Sequence, residues 1–372
     1  MTTTVDLIII GGGIHGCSTA LHLARRGLRP LVIEKDYAGR HASGVNAGGV
    51  RQLARALPEV ALSVASMSLW EGIVDLVGDD CGFQSHGQVL VAETDDELQA
   101  MRERVELLNS HGFRHEELVD QVELRRLVPA VADYCPGGIV SRRDGAADPF
   151  RSTQAFRRAA IAAGAVFKEG EVVRQLERVG QSWQVITDKG RYQASRLVNA
   201  AGGWADRIAA MVGETLPLQT IAPMLMITTR LPRFIEPVVI LRSRKLSFKQ
   251  FANGTVMIGG GHLAHVDRDH NTTRLDWKKL HESARTVWEL FPIMREASIQ
   301  RAWGGIEGRM SDDLPVIGPS AVANGVWHQC GFSAHGFQLG PAAGQAMAEL
   351  IIDGHSSIDL SGLQVGRFSA SP

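Results

Sequence analysis

Three glycines, Gly11, Gly13 and Gly16, stand in G-x-G-x-x-G spacing, and Glu34 follows the last of them by 34 − 16 = 18 residues. Ahead of them, residues 5–10 form an aliphatic, β-branched run of the kind that makes a buried parallel strand. Behind them a helix is expected. Ala20, Leu23 and Ala24 recur at helical spacing, Arg25 and Arg26 suit the last turn, and Gly27 suits the cap. A second strand, residues 30–33, leads into Glu34. Each part has a mechanical use. Gly11 permits a tight turn, Gly13 lets backbone approach a pyrophosphate, and Gly16 lets the helix lie close to the strand. Ile14 and His15 lie within the fingerprint and are expected at the cofactor, and the free N–H groups and positive dipole end of the helix that follows face the phosphates. Glu34 can accept hydrogen bonds from ribose hydroxyls, which favours an unphosphorylated ribose. The chemistry is the binding of an ADP-bearing dinucleotide. The motif alone does not separate NAD from FAD.

Residues 35–51 are polar and glycine-rich, and a stretch of about a dozen small residues in such a place is either functional or disordered. Lys35, Ala42, Ser43, Asn46, Ala47, Gly48 and Gly49 offer small side chains and backbone amides to a long, flat ligand. Near the other end, a strand at 325–330 runs into Gly331, Phe332, Ala334, His335, Gly336, Phe337 and Gln338, then an alanine-rich helix. Between them, residues 196–204 make a strand and turn ending in Ala201, Gly202 and Trp204, and Val173 lies on a further strand. These segments resemble the FAD-binding stretches of the D-amino-acid oxidase, sarcosine oxidase and glycine oxidase superfamily. Within it they look most like the β-subunit type of D-hydroxyproline dehydrogenase, opine oxidase and multi-subunit sarcosine oxidase.

The resemblance implies a cofactor, FAD, held by the residues just named, with Val173 beside the adenine. It implies that the closing helix aims its N-terminus at the flavin, where it stabilises negative charge on the reduced ring. It also implies oxidation of a C–N bond in a small amino acid or secondary amine, giving an imine. In that chemistry the flavin does the hard step, so no catalytic acid or base is assigned. Arg51 falls where sarcosine oxidases place a carboxylate-binding arginine, and its fork suits bidentate recognition. His335 and Gln338 are expected beside the ring, with Gln338 where the family often has a lysine. Glu307 stands where glycine oxidase-like relatives carry an arginine; a carboxylate there would repel an acid and attract an ammonium or guanidinium. Lys245 and Lys249 lie on an expected strand, and relatives use a lysine above the flavin to assist reaction with oxygen. No cysteine falls within residues 304–309, where monomeric sarcosine oxidases attach their flavin, so FAD is expected to be non-covalent. Iron–sulfur cysteines are absent, so a dehydrogenase of this type calls for partner redox subunits. The alternatives are a self-sufficient oxidase releasing peroxide and a non-catalytic, flavin-bearing member of a larger complex. A plain NAD dehydrogenase explains neither residues 43–49 nor the closing loop.

The elements that must position these residues divide into two groups. Residues 1–81, 140–215 and 300–372 read as a Rossmann-like, glutathione-reductase-like α/β domain for FAD. Residues 82–139 and 216–299 read as an inserted α+β substrate domain on an antiparallel sheet, with helices near 95–110 and 277–290. The whole has 372 residues, 44% hydrophobic and 21% charged, with 39 − 40 = −1 net charge. That excludes a disordered chain and gives no electrostatic case for nucleic acid. Four cysteines without C-x-x-C spacing make neither a disulfide framework nor a zinc site, and no metal is expected. Without a secretion signal or an apolar run of about 18 residues, a cytoplasmic protein is expected.

Overall fold

The computed structural model describes residues 2–368, so residues 1 and 369–372 of the expected cofactor segments lie outside the described residues. Sheet formation centres on the most aliphatic stretch. Leu7–Ile10 is buried along its length and pairs in parallel with Pro30–Glu34 on one side and Leu197–Asn199 on the other. Val326–Cys330 adds in parallel beyond Leu197–Asn199, and Val166–Glu169 beyond Pro30–Glu34. Val316–Pro319 pairs antiparallel at one edge and completes a six-stranded sheet. Parallel neighbours need crossover connections, and helices supply them. Ile14–Arg25 packs against both Pro149–Ala162 and Gly336–Ile352. A Cβ on Gly344 would lie 2.2 Å from Ser18 Oγ, so two of these helices cross in near backbone contact.

Parallel order decides where a ligand can sit. Five strands run the same way, and their carboxyl ends at Ile10, Glu34, Glu169, Asn199 and Cys330 open on one edge. The loops leaving that edge are the glycine fingerprint, residues 35–51, the approach to Val173, the turn after Asn199 and the closing loop. Gly11 and Gly331, 331 − 11 = 320 residues apart in sequence, thereby reach the same edge. A separate four-stranded sheet runs Thr2–Thr4, Arg191–Ala194, Ser182–Thr187, Val173–Val179.

An eight-stranded sheet carries the second core. Its order is Ile299–Gly304, Met224–Thr228, Val256–Gly259, Ser247–Gln250, Val238–Leu241, Gln88–Ala92, Gly137–Ser141, Glu117–Asp120. It is antiparallel except for one pair, Val238–Leu241 with Gln88–Ala92, where the chain re-enters the sheet after a long excursion. Two of its strands, Gly137–Ser141 and Ile299–Gly304, extend past residues 140 and 300, because the chain leaves the sheet only when each ladder ends. The helices Asp95–Ser110 and Trp277–Leu290 start where Thr94 and Asp276 accept the backbone N–H of Glu97 and Lys279, both at 3.2 Å. Among the described residues no helix is long and apolar enough to cross a membrane, and no group of three or more His, Cys, Asp or Glu could hold a metal.

Candidate active site

A cavity of about 680 Å³ follows the carboxyl edge of the six-stranded sheet. Its wall runs from Glu34 and Val173, past the fingerprint, to residues 305–308 and the closing loop. Gly11 makes the turn at φ +114°, and a Cβ there would lie 2.3 Å from the Ala200 carbonyl oxygen. Glu34 is buried, and its carboxylate accepts the N–H of Gly12 at 2.6 Å and of Asp36 at 2.9 Å. Burial pushes its pKa up, and those two bonds oppose the push. Ser43 Oγ accepts the Ile14 N–H at 3.0 Å, tying residues 35–51 to the helix start. His15 stacks on Phe332 with ring centroids 3.6 Å apart, so the fingerprint and the closing loop are joined directly. Burial lowers the His15 pKa to about 3, and its Nε2 has no partner among the described residues.

In the closing loop Ser333 and Ala334 hold φ of +51° and +67°, and the helix Gly336–Ile352 begins just beyond. Left-handed backbone at two non-glycine residues in succession stores strain in this loop.

Residues 51–55 reach the cavity from a separate support. The N–H groups of Gln52 and Leu53 donate to buried Asp144, both at 2.9 Å, and the Ala54 N–H donates to Glu116 at 2.7 Å. Arg51 and Arg55 both line the cavity. Arg51 donates to the Leu53 carbonyl at 2.7 Å, and burial lowers its pKa. Arg55 is 1% exposed; it donates to the carbonyls of Arg51 at 2.8 Å and His335 at 3.3 Å. Its Nη1 is buried without a partner among the described residues, and burial lowers its pKa to about 9. His335 Nδ1 meets Glu59 at 3.0 Å. Burial takes His335 down to about 4, leaving it neutral. Burial pushes Glu59 up, but the His335 bond and the two guanidinium groups outweigh it and keep it ionised.

All the expected site residues line this cavity except Gly16, Gly48 and Gln338. Gly16 lies behind the wall, where a Cβ would be 2.0 Å from the Gly11 carbonyl oxygen. Gly48 is wedged between the Ala147 carbonyl and the Lys249 ammonium. Gln338 corrects its expected place beside the ring. It is fully buried between two helices, accepting from Ser63 Oγ at 2.9 Å and donating to the Ser63 carbonyl at 2.8 Å. The helical turn after Gly336 rotates it toward Leu57–Glu71, and it meets the site residue Arg55 at 3.4 Å. Lys245 also departs from expectation: it precedes the strand Ser247–Gln250 and is exposed. Lys249 lies on that strand, buried, at a second cavity of about 660 Å³ that shares Asn46 and Ala47 with the first. Arg55 is a site residue that the sequence patterns do not mark. Its only signal is its position, four residues after Arg51 and just before a helix.

Residues 6–350 match the family described as FAD dependent oxidoreductase. The chain belongs to that family. The beta chain of sarcosine oxidase from Rhodobacter capsulatus is similar to it, 26% identical over 95% of this chain and 86% of that one. A component of opine oxidase from Rhizobium meliloti is 27% identical over 98% of both chains. The crystal structure of L-proline dehydrogenase from P. horikoshii superposes with a TM-score of 0.92 and 27% identity, covering 99% of each chain.

An FAD dependent oxidoreductase needs a cradle for this cofactor, and the cavity fits it. Backbone approaches closely at the fingerprint, and two buried polar atoms without partners among the described residues, His15 Nε2 and Gln329 Nε2, sit on the wall. Cys330 lines the cavity too, but burial pushes its thiol up to about 12, so it stays protonated and unreactive. Acid precipitation is therefore expected to release FAD into the supernatant. Yellow colour retained on the pellet contradicts non-covalent binding.

Proposed function

We propose that this chain oxidises the C–N bond of a small amino acid or secondary amine, D-hydroxyproline-, sarcosine- or opine-like, as a dehydrogenase. The observation that carries the reading is the pair Arg51 and Arg55, two guanidinium groups on the cavity wall beside the closing loop. A planar fork with a free buried N–H is a carboxylate receptor. FAD, when bound, supplies the hydride acceptor. Arg51 and Arg55 then anchor the substrate carboxylate, Glu59 holds the orientation of the His335 ring, which burial keeps neutral, and the walls exclude water while the imine forms. The helix Gly336–Ile352 presents its N-terminus where negative charge develops. Residues 1–81, 140–215 and 300–372 would hold FAD, and the eight-stranded sheet would cover the substrate. The multi-subunit oxidases among its relatives support a hetero-oligomer with partner redox subunits; a cytoplasmic location is part of the proposal. Anaerobic mixing with D-amino acids, N-methyl amino acids, proline, D-hydroxyproline and opines is expected to bleach the flavin with at least one of them. Bleaching by none removes the reading.

One observation favours a self-sufficient oxidase instead. Lys249 is buried beside Gly48, has no carboxylate within ion-pair distance among the described residues, and is lowered to about 8 by burial. An unpaired cation at the edge of the cofactor cavity would stabilise negative charge developing on oxygen. If oxygen is the acceptor, the chain alone releases peroxide, and Lys249→Met slows reoxidation by oxygen about tenfold or more, the effect of one lost charge contact. Reoxidation by an artificial dye stays unchanged. Absence of peroxide leaves the dehydrogenase.

A further inference from the structure

Glu307 begins the strand Glu307–Met310 at the cavity wall, and its Oε1 is closed off from solvent without a hydrogen-bond partner among the described residues. Burial pushes its carboxyl up to about 7, opposed by the Ala334 N–H and then by Arg309. Arg309 is already engaged by Asp313, at 2.8 Å. The paired strand Leu218–Ile221, the turn Gly202–Trp204 and the segment Ala42–Val45 bring no charged side chain against it. Arg51, Arg55 and His335 face the same cavity, yet neither guanidinium offsets the burial of Glu307.

A half-buried carboxylate with one oxygen closed off from solvent and open as an acceptor lacks a partner that a ligand can bring. The ligand of the proposed reaction carries one, since an amino acid's nitrogen is protonated at neutral pH. Resting on the function proposed above, we propose that Glu307 holds the positively charged nitrogen of the substrate while Arg51 and Arg55 hold its carboxylate. The cavity thereby selects zwitterions over plain carboxylates of the same shape. Both receptors are tied to the same loop. Ala334 presents its N–H to Glu307, and the next residue, His335, presents its carbonyl to Arg55 at 3.3 Å.

The test uses the FAD-loaded protein and two probes that cannot be oxidised at the α-carbon. One is 2-aminoisobutyrate; the other is 2,2-dimethylpropanoate, in which a methyl replaces the ammonium. Dissociation constants are read from the shift each causes in flavin absorbance. At pH 8 the zwitterion is expected to bind about tenfold tighter or more, the size of one charge-assisted contact. Its advantage shrinks as pH falls through about 7, because Glu307 takes up a proton and the pairing is lost. His15 at about 3 and His335 at about 4 keep one charge state across this range. In Glu307→Gln the two probes bind equally and the pH dependence disappears. The wild-type pH series needs no variant, so the inference stays falsifiable if Glu307→Gln does not fold. Equal affinities at pH 8, undetectable binding of the zwitterion, or an FAD-loaded Glu307→Gln protein that keeps the probe preference overturns it. A protein that takes up no FAD fails the earlier reading; a flavoprotein without the preference fails this one.

Discussion

Arg55→Met is expected to lower kcat/KM for the amino-acid substrate by about 30-fold to several thousand-fold, mainly through KM. Arg55 is 1% exposed, is tied to the Arg51 carbonyl at 2.8 Å, and keeps Nη1 free at the cavity wall among the described residues. Removing one partner of a desolvated, hydrogen-bonded charge pair costs about 2–5 kcal/mol, and about 1.36 kcal/mol is a factor of ten in rate. The loss falls on binding because the carboxylate is held equally before and during the reaction. Arg51→Met is expected to act in the same direction. FAD content separates this effect from misfolding, since neither arginine belongs to the fingerprint. Steady-state kinetics on the best substrate of the panel is the check. An unchanged KM in Arg55→Met with full FAD content means the carboxylate is held elsewhere.

Gly16→Ala is expected to strip the protein of its cofactor. The added methyl would sit 2.0 Å from the Gly11 carbonyl oxygen, and that atom is backbone in the turn that must meet the pyrophosphate. Overpacking of a tight site costs about 1–3 kcal/mol or more, and here the displaced atoms are the cradle itself. FAD per chain, counted after acid release, is expected to fall about tenfold or more. Gly366→Ala is the control, because a Cβ there meets nothing within 4 Å. Full FAD occupancy in Gly16→Ala contradicts the close helix–strand packing on which the site depends.

The fingerprint, the closing loop and the order of the cofactor stretches are legible in the sequence because each is a local pattern. A strand, glycines at set intervals and a helix need no knowledge of distant residues. The helices Asp95–Ser110 and Trp277–Leu290 are legible for the same reason, since caps and periodicity are local. Arg55 is not. Its place is set by Asp144 and Arg104, the former 92 residues from Gln52 and the latter 49 from Arg55 itself. Gln338 departs from its expected position because its direction depends on helical phase against Ser63, 275 residues away. Lys249 cannot be told from Lys245 until strand register puts one against Gly48 and leaves the other in solvent. For Glu307 the residue type allows either a solvated side chain or a cation receptor. The closure of its Oε1 from solvent decides against the first, and that closure is a property of the assembled walls.

The visible absorption spectrum of the purified protein, with FAD counted after acid release, bears most directly on the convergence of the three stretches at one edge. Two flavin bands at one FAD per chain, and recovery of both after the stripped protein is given FAD, are the expected result. A colourless protein that takes up no FAD would mean that the fingerprint, residues 35–51 and the closing loop do not enclose a common ligand.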